Sequence, residues 1–354
     1  MSGDGVVEGI VEGATRLFVP GVNKNPRGPG RREKGAPFYN PGMALNRDLS
    51  VLLAEAEGRR KGREIDFADA LAGTGARSVR VAHEVEVPLI VHANDGNPLA
   101  TAAIRQAAKA NEVPAQRLEV VDGDAYAFLA SRRHDVVDVD PHGSPMPFMD
   151  AALRATRPDG ILCVTATDTG ALAGTFPRVA RRRYDAHHGL HKAAWKAEAG
   201  LRILAGAVVR SAARFDRTAT PVLCVTQGHW MRVMARVDGA KKDADLALKA
   251  LRNAVLDPTG GGRFLDPHES PGKGTAWGGP MWSGPLHDCE FVAALAEALG
   301  PERVHCVSMP SQFSSEATRA DARRLAESLG CPFTELPIEP IVEAFRKVLA
   351  EPFG

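Results

Sequence analysis

Ile65-Asp66-Phe67-Ala68-Asp69-Ala70-Leu71-Ala72-Gly73-Thr74-Gly75-Ala76-Arg77 is an apolar run that breaks into a glycine-bearing turn. Residues 65–71 read as a buried strand with Asp69 near its end. Gly73 and Gly75 then let the backbone come close to a ligand where a Cβ would collide. Such a turn serves NAD, FAD and S-adenosylmethionine alike, so the surrounding residues must decide between them. The dinucleotide fingerprint asks for a third glycine where the chain has Ser78, and Arg77 stands where a pyrophosphate needs room. Asp95 ends the next apolar run, 20 residues after Gly75, where a carboxylate can accept from both hydroxyls of a ribose. Asp124 and Ala125 follow the third run, with Asp124 placed to accept from an adenine amine. Helix capping is the competing use of both carboxylates.

Apolar runs at residues 65–71, 88–93, 118–121, 135–139 and 161–166 alternate with helical patterns, among them residues 98–111 with Pro98 at the first helical position. That rhythm specifies a parallel sheet with helices on its faces. Residues 190–208 repeat Leu, Ala and Val at three- and four-residue steps as a long amphipathic helix. Residues 221–226 and 231–237 flank Gln227-Gly228-His229 as a closing hairpin. A mostly parallel α/β sheet that ends in an antiparallel hairpin fits the class I methyltransferase (Rossmann-like) arrangement better than a symmetrical dinucleotide fold. After Asp238 the pattern changes, with helical readings at 246–256 and 291–299 around a Gly/Pro/Trp-rich stretch from 259 to 285. The expected division is a catalytic domain at 1–238 and a smaller C-terminal α+β domain at 239–354.

The fourth run ends in Asp138-Val139-Asp140-Pro141-His142-Gly143-Ser144-Pro145. In open parallel sheets the ligand crevice lies at the carboxyl ends of the strands. Methylating an aromatic exocyclic amine requires its delocalised lone pair to be localised on nitrogen. A carboxylate and a carbonyl that accept its two N–H groups do this, and Asp140 with the carbonyl of Pro141 fits the pair. Asp140 can also take the departing proton. His142 and Phe38 are the aromatic planes expected to stack on the base.

The bulk composition, 354 residues with 44% hydrophobic and 25% charged, suits a folded globular protein and excludes extensive disorder. Net charge is only +1, so any nucleic-acid surface must be local. Two basic segments stand out. One is the Pro- and Gly-rich loop at 20–41, with Lys24, Arg27, Arg31, Arg32 and Lys34; the other runs from 178 to 217, with ten Lys/Arg, including Arg181, Arg182 and Arg183, against three Asp/Glu. Five scattered cysteines without a CxxC pair argue against a zinc site or a disulfide framework, and Cys163 and Cys224 sit in apolar runs as core residues. With no apolar stretch of membrane-spanning length, and Asp4 and Glu8 at the start of the chain, a cytoplasmic protein is expected.

Several segments together resemble the tRNA (guanine-26-N2) dimethyltransferase family of archaea and eukaryotes. They are Glu12 to Thr15, Phe38-Tyr39-Asn40-Pro41, Asn46-Arg47-Asp48, Thr74 to Arg77, Asn94-Asp95, Asp140 to Pro145, Thr165 to Asp168, and Gly279 to Leu286. The resemblance implies S-adenosylmethionine as cofactor, contacted by Arg47, Arg77, Asp95, Asp124 and Ala125. It further implies Asp140 as the catalytic residue, Phe38 stacking on the target base, tRNA as partner, and a C-terminal domain that helps to hold it. No obligate protein partner and no metal are expected. Two departures stand out: His142 occupies a position where the family typically has Phe, and the four-cysteine zinc site of the family's C-terminal domain is missing. His187, His188 and His191 form a cluster that either faces RNA or binds a metal, while Trp277 and Trp282 either stack on RNA or pack the core. The competing activity is methylation of an exocyclic amine in another RNA or in DNA.

Overall fold

The computed structural model describes residues 7–20, 35–257, 261–266, 268–304, 306–308, 323–324 and 326–335. The chain divides into two compact units, Met1–Asp288 and Cys289–Gly354. The change of pattern after Asp238 therefore does not start a new unit, because the strands that follow pair back onto the first one.

The first unit opens with an antiparallel hairpin, β1 (Val7–Glu12) and β2 (Thr15–Pro20), followed by the helix α1 (Ala44–Lys61). Then come β3 (Ile65–Asp69), α2 (Ala76–Glu84), β4 (Leu89–Asp95), α3 (Pro98–Ala110), β5 (Leu118–Asp122), α4 (Ala125–Ser131) and β6 (His134–Val139). The alternation closes with α5 (Met149–Ala155) and β7 (Thr156–Ala166). Pro98 stands at the start of α3 behind the N-cap Asn97, whose side chain accepts from the Leu99 amide.

Beyond β7 lie α6 (Thr169–Leu172), α7 (Pro177–Tyr184), the short β8 (His187–His188), α8 (Lys196–Ala213), and the strands β9 (Thr218–Gln227) and β10 (Trp230–Asp238). The main sheet has the order β5-β4-β3-β6-β7-β10-β9. Its first five strands are parallel, and β10 and β9 run antiparallel, as expected for the class I methyltransferase arrangement. Every residue of β6 is buried, as a central parallel strand covered on both faces requires.

After α9 (Lys241–Lys249), the strands β11 (Leu251–Leu256), β12 (Gly262–Phe264) and β13 (Trp277–Trp282) join β8 in a second sheet of order β12-β11-β13-β8. The helix expected at 246–256 thus ends early and turns into a strand, since Leu251, Ala254 and Val255 find partners on β12 and β13. The expected helix from Leu190 begins only at Lys196, although Leu190 and Ala193 are buried as the pattern implied. Gly206 lets α8 approach β13 closely; a Cβ there would lie 3.2 Å from the backbone nitrogen of Trp282. The second unit contains α10 (Cys289–Leu299) and a parallel pair, β14 (Cys306–Ser308) with β15 (Phe333–Glu335). Among the described residues no helix is long and apolar enough to cross a membrane. Cys163 and Cys224 are buried core residues.

Candidate active site

A cavity of about 820 Å³ opens at the carboxyl ends of β3, β4, β6 and β7. It brings together Phe38, Arg47, Asp69, Gly73, Arg77, Asp95, Asp140, Pro141, His142, Arg182 and Arg183. Gly75, Asp124, Ala125 and Arg181 do not line it. Lys24, Arg27, Arg31 and Arg32 lie outside the described residues.

The floor is a buried ionic cluster. Arg77, at the start of α2, donates to Asp140 Oδ2 through one terminal nitrogen. Its other terminal nitrogen reaches Asn46 Oδ1 at 2.9 Å and Ser50 Oγ at 2.6 Å on α1, and lies 3.3 Å from Asp138 Oδ2. Asp138 is itself gripped by Arg232 of β10 at 2.5 Å, with both side chains essentially inaccessible. Asp69 accepts from Ser78 Oγ at 2.6 Å. Burial drives the protonation of these carboxyls apart. It pushes Asp69 up to about 7 and raises Asp140 despite the Arg77 charge beside it, whereas Arg232 and Arg77 outweigh burial at Asp138 and hold it low. Three aspartates face two arginines here, so full ionisation leaves an excess of negative charge at the cavity floor.

The glycine turn has a structural explanation at each position. Gly73 adopts φ +56 and the carbonyl of Phe38 would stand 2.9 Å from a Cβ on it, so the glycine lets the Phe38 segment close over the turn. Gly75 adopts φ +76 as the N-cap of α2 and packs on Ile104, which excludes any side chain there. Asp95 binds the turn: its Oδ2 accepts from the Gly73 amide and its Oδ1 from the Asn97 amide, each at 2.8 Å. Asp124 caps α4, with Oδ1 accepting from the Tyr126 and Ala127 amides. Asp124 thus serves as the N-cap of its helix and is exposed.

Arg47 faces the cavity but its guanidinium is committed. It forms a two-pronged ion pair with Glu12, at 2.6 and 2.5 Å, and lies 5.0 Å above the Tyr39 ring. Tyr39 Oη and Arg80 also bond Glu12, so this carboxylate fixes the wall that carries Phe38. At the mouth, the Phe38 and His142 rings meet edge to face with centroids 5.6 Å apart. Asn40 donates to His229 Nε2 at 3.0 Å, and both line the cavity.

Glu12, Asn40, Asp138, His229 and Arg232 were not singled out from the sequence as site residues. Asp138 carried a readable signal, a charge inside an apolar strand. Arg232 carried the same signal in the hairpin strand.

The basic segment at 178–217 separates into two classes. Arg210 and Arg217 donate to the backbone carbonyls of Tyr184 and Thr156, and Arg202 to those of Trp282 and Gly284, so these three fasten the fold. Within this segment only α7 turns arginines towards the cavity, and Arg183 pairs there with Asp168 at 2.8 Å. The histidine cluster also divides. His188 is buried, with Nε2 bonded to the Leu172 carbonyl at 2.7 Å, while the His187 ring lies tilted against Trp277. Among the described residues no three His, Cys, Asp or Glu side chains form a group that could hold a metal.

A model of the N2,N2-dimethylguanosine tRNA methyltransferase family matches residues 13–309. A model of NAD synthases matches residues 283–352. The tRNA (guanine(26)-N(2))-dimethyltransferase of Methanoculleus marisnigri is 36% identical over 302 residues, covering 83% of this chain and 77% of its own. That of Methanothermobacter thermautotrophicus is 36% identical over 298 residues, covering 81% and 75%. Among solved structures, Trm1 from Pyrococcus horikoshii in complex with S-adenosyl-L-methionine matches with a TM-score of 0.70 at 27% identity, over 92% of this chain and 82% of that one. With the family match spanning most of the sequence and these relatives aligned along it, the chain belongs to the N2,N2-dimethylguanosine tRNA methyltransferase family.

Proposed function

We propose that this chain is an S-adenosylmethionine-dependent tRNA (guanine26-N2)-dimethyltransferase acting in the cytoplasm. The observation that carries the reading is the Asp140 carboxylate, fixed by Arg77 on the floor of a cavity whose mouth holds Phe38 and His142 edge to face.

The residues fit the cofactor in two respects. Asp69, Asp138 and Asp140 outnumber Arg77 and Arg232, so a ligand that carries a sulfonium charge would favour the ionised forms of Asp69 and Asp140, which burial opposes. Asp95 has each oxygen oriented by one backbone amide, and keeps lone pairs for two ribose hydroxyls. Asp124 and Ala125, which start α4 outside the cavity lining, would be the residues to hold the adenine, Asp124 through the Oδ2 that its cap leaves over. When bound, S-adenosylmethionine supplies an electrophilic methyl group.

The protein's own part is to prepare the acceptor. Phe38 and His142 hold the guanine plane at the mouth. Asp140 and the Pro141 carbonyl accept from the exocyclic amine and draw its lone pair out of conjugation. Arg77 keeps Asp140 in that orientation, and burial raises the proton affinity of Asp140, as suits a group that takes the amine proton once the lone pair is committed. Arg182 and Arg183 at the cavity, together with Arg181, hold the flanking phosphates, and the C-terminal part of the chain helps to hold the tRNA.

Incubating unmodified tRNA transcripts with the protein and S-adenosylmethionine, then measuring nucleoside masses, tests the reading. N2-methylated and N2,N2-dimethylated guanosine at position 26 are expected. Methylation confined to another nucleotide or to DNA would reject it.

A further inference from the structure

The four tryptophans fall into three environments. Trp230 and Trp282 are buried, with their indole nitrogens donating to the Gly42 and Pro285 carbonyls. The Trp195 indole nitrogen is buried without a partner. Trp277, at the start of β13, is half-buried, and the His187 ring lies against it with centroids 4.2 Å apart and planes tilted by 33°. The main chain locks the two together: His187 pairs with Gly279 across the sheet, and the Gly189 amide donates to the Trp277 carbonyl at 2.9 Å.

Arg181 and Asp185 precede His187 in the chain by six and two residues. Burial and the positive charge of Arg181, on the helix that leads into β8, both hold the His187 imidazole below its ordinary protonation range. The next two residues, Arg182 and Arg183, line the catalytic cavity. One helix of eight residues thus carries Arg182 and Arg183 at the cavity, bears Arg181 beside them in sequence, and leads through Asp185 and Ala186 to His187.

A guanine drawn into the cavity leaves the stack of its own strand, and its neighbour loses a stacking partner. A partly exposed aromatic surface can replace that partner, and an arginine near it can hold the phosphate between the two nucleotides. We propose that Trp277 and His187 form a stacking platform for an unpaired tRNA nucleobase other than the target guanine, with Arg181 on its phosphate. This rests on the reading of the chain as a tRNA methyltransferase.

Two measurements test it. In hydroxyl-radical footprinting of the wild-type protein, saturating unmodified tRNA transcript should lower oxidation of Trp277 about fivefold or more. In fluorescence anisotropy, Trp277→Leu should weaken binding of the same transcript about tenfold, and Trp277→Phe, which keeps an aromatic plane, should stay within about threefold of wild type. Calorimetry with S-adenosylmethionine should give the same affinity for all three proteins. Trp277 left open to oxidation in a complex that forms and methylates normally would overturn the platform alone. A wild-type protein that binds no tRNA in either measurement would overturn the platform and the methyltransferase reading together.

Discussion

Arg77 and Asp140 are bonded side chain to side chain, one at the start of a helix and the other just past the end of a central strand. The bond ties the proposed catalytic carboxylate to the ionic cluster beneath it, because the same guanidinium also contacts Asn46, Ser50 and Asp138. Asp140 is thereby oriented before any substrate arrives, which is the condition for electrostatic and positional catalysis.

Arg232 supports this arrangement from below, and its loss leaves Asp138 buried without its strongest partner. Arg232→Ala should lower stability by about 3 to 5 kcal/mol in urea unfolding at neutral pH. Replacing both partners by leucine should recover most of that loss. A small effect of the single substitution would show that Arg77 alone suffices for Asp138.

Asp95 has a double task, and its substitution should show both. Asp95→Ala should raise the S-adenosylmethionine dissociation constant about tenfold or more, through the ribose hydroxyls and through release of the Gly73 amide. Asp95→Asn, which retains one acceptor oxygen, should fall between. Calorimetry giving three equal constants would remove Asp95 from the cofactor site.

His134 gives the fold an acid-sensitive point. The ring is fully buried with neither nitrogen hydrogen-bonded, and burial pushes its pKa down to about 4. The unfolded chain therefore takes up a proton near pH 6.5 that the native state refuses. Stability from this residue is intact above about 6.5, falls as pH drops, and levels off below about 4. The loss amounts to about 3 kcal/mol by linkage. His134→Phe should reduce the stability difference between pH 7.5 and pH 4.5 by roughly that amount, as read from urea midpoints. An unchanged difference would mean that the histidine ionises inside the fold.

On α7, Arg182→Gln and Arg183→Gln should each reduce the magnitude of the log–log salt slope of tRNA binding by about 0.7 to 0.9 if both meet phosphates. Turnover at saturating tRNA should change less. An unchanged slope in both would assign them to a solvated surface.

How far the sequence disclosed this picture depends on what kind of information each element uses. The order of β3 to β7 was legible because buried parallel strands are continuous apolar runs, and Pro98 marked the start of its helix. Trp277 and Leu251 were harder, since their strand identity comes from pairing with each other's strands and with His187, far away in sequence. In the site, Asp95 and Asp140 could be read from their positions after strands. The engagement of Arg47 by Glu12 could not, because the partner comes from a hairpin that local pattern leaves undefined. The basic run at 178–217 misled for a related reason: charge counting does not reveal that Arg210 and Arg217 point inward to carbonyls.

The central claim is that Asp140 acts on the acceptor amine and not on the cofactor. Asp140→Ala with S-adenosylmethionine and unmodified tRNA is the most direct measurement, reading methyl transfer and calorimetric cofactor affinity on one preparation. Transfer should fall about 100-fold or more while the cofactor dissociation constant stays close to wild type. Cofactor binding abolished along with transfer, or transfer left intact, would contradict the account.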